Sequence, residues 1–333
     1  MAKTVKEAFT SFLENNVNLD SGETNRARRS KDWLLDQIHL FPSKDIWFPK
    51  LYSEKDISFG SFARCTKKRP LDDIDMMVAL NGDGGSYLEF TDRIEIYVHN
   101  PYSRLRAFCF KDTNVLNSRK VINKFVSLLS GVPQYEKAMV KRNMEAATLN
   151  LSSYSWVFDL VPCFFTAKDM SYRDYYLIPD GQGYWKKTDP RIDRQRVRDV
   201  NQYHDGNVLN VIRLMKYWNR RATMPSMSSY LIENMILDFY SSRSAKASSF
   251  VDLEVSEMLK YIQIQVYHPV SDPKGIQGDI NSLNSEEKDK ISKRAYYDYI
   301  KTLEAKLLKS IGDHKASIDK WSEVLGSKFS MYE

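Results

Sequence analysis

The chain has 333 residues, of which 42% are hydrophobic and 28% are charged, and its formal net charge is +6. A chain of this length and composition can bury a sizeable core, and it is too hydrophobic for an intrinsically disordered protein. The positive charge is mild, so it permits an anionic partner such as a nucleotide without identifying one.

The cysteines and the apolar segments indicate a cellular compartment. Cys65, Cys109 and Cys163 are far apart and form no CxxC pair, which argues against a disulfide framework or a zinc site. The N-terminal residues have no apolar signal-peptide core, and no stretch approaches the roughly 18 apolar residues of a membrane span. We therefore expect a cytoplasmic protein with no membrane partner.

Two helices are predicted for the first forty residues. Phe9, Phe12 and Leu13 share a face of the first helix, and a second run from about residue 24 to 40 repeats its apolar residues at helical spacing. Between about residues 47 and 185, runs of β-branched and aromatic residues predict strands instead.

One further helix is predicted within the strand region, at residues 118–130, with Gly131 and Pro133 as its stop. After residue 188 the pattern is helical apart from one polar loop. This order predicts an α+β protein with a mixed sheet and helices in residues 1–187, including the N-terminal helices, and an α-helical lobe in residues 188–333.

The segment IDMMVAL is a predicted strand with two carboxylates at its start. Asp73 and Asp75 alternate with apolar residues, so both point to one face. Two like charges this close raise each other's pKa unless a cation neutralises them. A solvated strand end would also explain a single pair of this kind.

Asp159 lies in a second predicted strand, SWVFDLVPCFF, between apolar neighbours. An isolated buried charge is very costly, so this carboxylate should either form a salt bridge or coordinate a metal. Together Asp73, Asp75 and Asp159 predict a site for two Mg²⁺ ions, with Mn²⁺ as a substitute, because hard divalent cations prefer oxygen ligands. The five histidines are all distant in sequence from these carboxylates, which argues against zinc or iron.

Gly60 and Ser61 follow the predicted strand KDISF, and eleven residues separate Ser61 from Asp73. A glycine allows backbone N–H groups to approach a phosphate, and the serine hydroxyl adds a donor. A Gly-Ser pair is usually only a turn, so its spacing from the carboxylates is what makes it a candidate phosphate-binding site.

This set of residues resembles the signature of the polymerase-β-like nucleotidyltransferases, in which a Gly-Ser pair precedes two alternating acidic residues and a third follows on a later strand. Further stretches are similar to one branch, the cGAS/DncV-like nucleotidyltransferases (CD-NTases). They are GSFARCTKKRPLDDID, YLIPDGQGYWKKTDP, NVIRLMKYWNRR with SSYLIE, and DKWSEVLGSKF.

The resemblance implies a polymerase-β-like nucleotidyltransferase lobe joined to an α-helical C-terminal lobe, with the active site in the cleft between them. It also implies that Lys216 and Ser229 hold the nucleotide triphosphate. Independently, Arg213, Lys216 and Arg220 flank the apolar face of one predicted helix, and no acidic residue lies nearby in sequence. A solvated basic face is the alternative explanation.

The resemblance further implies a Mg²⁺-dependent enzyme that joins nucleoside triphosphates (ATP, GTP, CTP or UTP) into a cyclic di- or trinucleotide second messenger for antiphage defence. Defence-operon regulatory or effector proteins would be its protein partners. Two alternatives stay open: a template-independent RNA-tailing or tRNA-end nucleotidyltransferase, and a catalytically inactive nucleic-acid-binding protein. The mild net charge and the lack of an RNA-binding module argue against nucleic acid as a partner.

Overall fold

The computed structural model describes residues 2–223, 225–329 and 331–332. The chain divides into two compact units by its internal contacts. The helical unit contains Met1–Ser21, Arg64–Pro70 and Ile192–Glu333, and the sheet unit contains Gly22–Ala63 and Leu71–Arg191. The domain boundary after residue 187 stays a prediction, and the contacts group the N-terminal helix with the helical unit instead.

The sheet unit is built on a mixed sheet. Its strands are β1 (Ile57–Phe59), β2 (Asp73–Leu80), β3 (Ser86–Glu89), β4 (Ile94–Tyr97), β5 (Met139–Asn143), β6 (Ala146–Asn150), β7 (Val157–Phe165), β8 (Tyr176–Pro179) and β9 (Trp185–Thr188). The order is β1-β2-β7-β8-β9-β4-β3, and the hairpin β5-β6 joins at β7. The β2–β7 pair is parallel and the other strand pairs are antiparallel. The predicted α+β class with a mixed sheet is confirmed.

The helices are α1 (Val5–Phe12), α2 (Ser21–His39), α3 (Phe41–Lys44), α4 (Gly60–Ala63), α5 (Ser118–Ser130), α6 (Pro190–Tyr203), α7 (Val208–Asn219), α8 (Ser229–Ser241), α9 (Val251–Gln265), α10 (Ser285–Ser310) and α11 (His314–Leu325). Capping residues mark both ends of α5. The Asn117 side chain accepts from the backbone N–H of Arg119 at the start of α5, and Gly131 ends the same helix as predicted.

Strand alternation separates the two faces of the sheet. On β2, Ile74, Met76 and Val78 are buried on one face. The opposite face carries Asp73 and Asp75 and then continues into a small apolar cluster that includes Met77. The carboxylates therefore lie where the apolar part of their face ends.

The helical unit has its own apolar core, in which Trp218 and Trp321 are fully buried. Phe9 on α1 contacts Trp321 on α11 edge to face, with ring centroids 4.8 Å apart. This contact explains why the first helix belongs to the helical unit. No helix among the described residues is long and apolar enough to cross a membrane.

Candidate active site

The strand register brings the three predicted carboxylates to one face of the sheet. Asp75 on β2 pairs directly with Asp159 on the parallel strand β7, and Asp73 lies two residues before Asp75. Side chains two residues apart on a strand point to the same face. The structure therefore places the three carboxylates on one face of neighbouring strands, and their joint role stays a prediction.

Asp159 is the carboxylate whose surroundings are best defined. Its Oδ1 accepts a hydrogen bond of 2.5 Å from Oγ1 of Thr148 on the neighbouring strand β6. Burial raises the pKa of Asp159, the Thr148 hydrogen bond lowers it, and the Asp73 charge raises it further. The negative charges of Asp73 and Asp159 therefore act on each other.

Gly60 lies close against the Asp75 side chain. Its φ is +70°, and a Cβ atom at this position would lie 1.8 Å from Oδ2 of Asp75. The contact follows from the register, because Phe59, the last residue of β1, pairs with Asp75. Only glycine fits here, since a side chain would overlap the carboxylate and would disfavour the left-handed backbone.

Ser61 follows in α4 and is half-buried. The sheet unit thus contains Gly60, Ser61 and all three carboxylates. In residues 2–223, 225–329 and 331–332, no three His, Cys, Asp or Glu side chains already converge closely enough to hold a metal ion. The carboxylates share a face and a strand pair without forming a closed coordination sphere.

Lys216 lies in α7 of the helical unit and is only 3% exposed. Its Nζ forms an ion pair with Glu233 on α8 and donates to Oγ1 of Thr66 at 3.2 Å. The alternative of a solvated basic face is therefore wrong for this residue. The compensating charge that is missing near Lys216 in sequence comes from the next helix.

Glu233 is the centre of this buried network, and the sequence analysis did not single it out. Nε of Arg64 donates to its Oε1 at 2.6 Å, and Oγ1 of Thr66 donates to its Oε2 at 2.8 Å. Burial tends to raise the pKa of Glu233, but the Lys216 and Arg64 charges outweigh this effect and lower it to about 2. A glutamate within the apolar run YLIENMIL was the available signal.

Ser229 is the first residue of α8 and is half-buried. The side chain of Ser228 caps this helix by accepting from the backbone N–H of Leu231 at 3.1 Å. The start of a helix presents backbone N–H groups and a partial positive charge, which suits an anion. Ser229 and Lys216 both belong to the helical unit.

A second polar network surrounds the neighbouring residue Tyr230, and sequence reasoning missed it. The Tyr230 hydroxyl lies 2.7 Å from Oδ1 of Asp193 and 3.1 Å from Oδ1 of Asp272, and it can donate its one proton to either carboxylate. Lys274 pairs with Asp272 at 2.8 Å. These contacts attach the polar loop after α9 to the start of α8, and residues so far apart in sequence give no local signal.

Comparison with known proteins gives the class of protein that this arrangement belongs to. The chain is 44% identical over 334 residues, covering 100% of both chains, to "Probable cyclic nucleotide synthase IK1_05630" of Bacillus cereus (strain VD146). No protein-family model matches the sequence.

Solved structures show the same fold. Two structures of E. coli MS115-1 CdnC match, and each match covers 98% of this chain and 98% of CdnC. The CdnC:HORMA-deltaN complex matches with a TM-score of 0.70 and 16% identity, and CdnC with ATP matches with a TM-score of 0.68 and 17% identity. The Vibrio cholerae DncV cyclic AMP-GMP synthase, described as a prokaryotic cGAS homolog, matches with a TM-score of 0.59 and 14% identity. That match covers 83% of this chain and 70% of DncV.

The fold and the full-length relative define a nucleotidyltransferase. The chain belongs to the cGAS/DncV-like nucleotidyltransferase family, the cyclic nucleotide synthases. The family resemblance that the sequence motifs indicated is confirmed.

Proposed function

We propose that this nucleotidyltransferase joins nucleoside triphosphates into a cyclic di- or trinucleotide second messenger in a Mg²⁺-dependent reaction. The observation that carries the proposal is the register of Asp75 opposite Asp159, with Asp73 on the same face. The relative from Bacillus cereus, matched over its full length and named a probable cyclic nucleotide synthase, supports the class of product.

Asp73, Asp75 and Asp159 are the residues that would hold two Mg²⁺ ions, with Mn²⁺ as a substitute. The donor set fits, because all three side chains offer carboxylate oxygens, the ligands that hard divalent cations prefer. Burial and the Asp73 charge raise the pKa of Asp159, and a bound cation would lower it by stabilising the carboxylate. When bound, paired divalent ions stabilise the attacking and leaving oxygens of phosphoryl transfer.

The remaining candidate residues would bind the triphosphate. Gly60 and Ser61 are proposed to contact phosphate oxygens through backbone N–H groups and the Ser61 hydroxyl, next to Asp75, against which Gly60 lies. Lys216 and Ser229 are proposed to donate to the phosphates as well. Lys216 can share its charge with a phosphate because Glu233 keeps hydrogen bonds from Arg64 and Thr66.

Substrates and partners are proposed on the same basis. CdnC was solved with ATP, which supports ATP, GTP, CTP or UTP as substrates of this chain. CdnC was also solved in complex with HORMA-deltaN, which supports a regulatory or effector protein partner from a defence operon. We further propose a cytoplasmic role in antiphage defence signalling.

An RNA-tailing or tRNA-end enzyme would use the same carboxylates, so the acceptor distinguishes the two functions. Purified protein is incubated with Mg²⁺ and labelled nucleoside triphosphates, and the products are identified by mass spectrometry. We expect a phosphatase-resistant cyclic product without added RNA, and none from a protein with Asp73→Asn and Asp75→Asn. Products that require an RNA primer and grow by single nucleotides would contradict the synthase proposal.

A further inference from the structure

The outer side of α10 carries a line of apolar residues that nothing in the described part of the chain covers. Its members are Tyr296, Ile300, Leu303, Leu307 and Ile311, each between 41% and 71% exposed. We call this line the α10 seam. Its residues recur every three or four positions, so they lie above one another along the helix and end at the residue that follows it. At the helical rise of about 1.5 Å per residue, the seam is roughly 22 Å long.

The seam is separate from the face of α10 that packs into the helical unit. The residues that face the core, such as Ile291, Ala295 and Ala305, are buried. A surface helix usually carries polar residues on the side away from its core. The α10 helix instead has a second apolar face, and a contiguous exposed apolar face marks an interaction surface.

The charged residues on both sides of the seam are compensated within the chain. Lys320 on α11 pairs with Glu304 at 3.2 Å on one side. On the other side, Lys306 lies 4.0 Å from Glu257 on α9. A partner that covers the middle of the seam would therefore bury no unpaired charge there.

The two ends of the seam carry opposite charges. Lys293 is exposed one turn before Tyr296, and Asp313 is exposed shortly after Ile311. Over residues 2–223, 225–329 and 331–332, neither of these two charges forms an ion pair. In an antiparallel pair of two such helices, the lysine end of each copy would meet the aspartate end of the other. In a parallel pair, like charges would meet, which is unfavourable.

We propose that the α10 seam is the contact between two copies of this chain, which pack as an antiparallel helix pair about a twofold axis. The spacing of the seam is almost the same in both directions. An axis next to Leu303 therefore places Ile300 opposite Leu307, and Tyr296 opposite Ile311 of the second copy. A seam that complements itself in both spacing and charge is what a twofold contact requires.

A lipid surface is the alternative occupant of an exposed apolar helix face. Amphipathic helices that lie on membranes are rich in Lys and Arg on their polar side. The seam instead has Glu304 beside it and Asp313 at its end. This mixture of charges favours a second copy of the chain.

The molar mass in solution tests the proposal. Sedimentation equilibrium of the full-length protein should give 38.8 kDa at low concentration and approach twice this mass at tens of micromolar, because a single helix pair is a small interface. A mass of 38.8 kDa at every concentration would overturn the proposal. Binding of that monomer to anionic phospholipid vesicles would assign the seam to a membrane instead.

Matched variants assign the interface. Leu303→Lys with Leu307→Lys should weaken association about a hundredfold or more, because the added charges would be buried without partners. The control is Ile46→Lys with Leu88→Lys, which adds the same charge at two exposed apolar residues of the sheet unit. Its association should match that of the unsubstituted protein. Equal weakening in both double variants would overturn the assignment.

The end charges test the orientation of the pair. Lys293→Asp should weaken association, because each end would then bring two aspartates together. Addition of Asp313→Asn should recover part of the association, since asparagine removes the repulsion and still caps α11. Unchanged or stronger association in the Lys293 variant would overturn the antiparallel arrangement.

Discussion

Asp75 and Asp159 lie directly opposite each other on the parallel strands β2 and β7, although they are far apart in sequence. Parallel pairing aligns the two strands in the same direction, so acidic residues near the start of each strand meet at the same edge. The register then adds Asp73 to the same face. This relationship is the basis of the first prediction.

Replacement of Asp73 and Asp75 together by Asn should reduce nucleotide incorporation to background, because the proposed metal ligands are lost. Thermal stability should stay equal or rise, since repulsion between neighbouring carboxylates disappears. Product formation and thermal unfolding are the measurements. Asp72→Asn is the control, because Asp72 precedes β2 and is exposed. Wild-type turnover in the double variant would refute the catalytic assignment.

Gly60→Ala should impair both stability and activity. The added Cβ would overlap Oδ2 of Asp75, and the left-handed backbone costs a further roughly 1–2 kcal/mol. The control is Gly84→Ala, because Gly84 has a similar φ of +76° but no atom within 4 Å of the added Cβ. Urea unfolding measures the stability of both variants, and product formation should fall only in the variant at position 60. Equal effects at both positions would exclude the Asp75 contact as the cause.

Lys216→Ala should destabilise the protein by about 1–3 kcal/mol, because Glu233 loses its lysine but keeps its ion pair with Arg64. It should also weaken binding of a non-hydrolysable triphosphate by about 1–3 kcal/mol. Denaturant unfolding and calorimetry measure the two effects. Arg220→Ala is the control, because Arg220 is exposed at the end of the same helix.

A second variant separates stability from binding. Lys216→Met combined with Glu233→Met and Arg64→Met removes all three charges of the buried network and should recover part of the stability. Nucleotide affinity should nevertheless stay low, because the proposed phosphate donor is still absent. Recovery of affinity together with stability would show that Lys216 acts only within the fold.

Thr148→Val should shift the pH dependence of catalysis. The Thr148 hydrogen bond lowers the pKa of Asp159, so its removal should raise that pKa. Asp159 must be deprotonated to bind a cation, and activity is lost as pH falls through its pKa. The acidic limb of kcat/KM at low Mg²⁺ should therefore move to higher pH.

The control for this shift is Thr166→Val, because the Thr166 hydroxyl lies next to the same sheet but accepts from the backbone N–H of Tyr175. Its pH profile should match that of the unsubstituted protein. An unchanged acidic limb in the Thr148 variant would mean that protonation of Asp159 does not limit the reaction.

The carboxylate face could be predicted from sequence because strand alternation is a local property. Asp73 and Asp75 are two residues apart, and the apolar neighbours of Asp159 indicate a buried strand. The pairing of β2 with β7 was not predicted, because no local pattern specifies which strands become neighbours. Gly60 was identified by its spacing, but its contact with Asp75 depends on the register of β1, which sequence does not specify.

The environment of Lys216 could not be predicted in the same way. Its partners Glu233 and Thr66 come from a neighbouring helix and from a segment about 150 residues earlier, and that segment also supplies Arg64 to Glu233. Burial of a lysine with a compensating glutamate depends on tertiary packing, and the basic stripe alone indicated only charge. Likewise, the predicted strand run around residue 144 folds as the hairpin β5-β6, because Met144 adopts a left-handed turn with φ of +49°.

The contact between Phe9 and Trp321 has a consequence for the order in which the protein can fold during synthesis. The α1 helix precedes the whole sheet unit in the chain, whereas Trp321 on α11 follows that unit. The sheet unit, whose segments end at Arg191, can assemble while the rest of the chain is still being translated. The apolar face of α1 is therefore covered in stages, by α7 through Tyr217 and only later by α11 through Trp321.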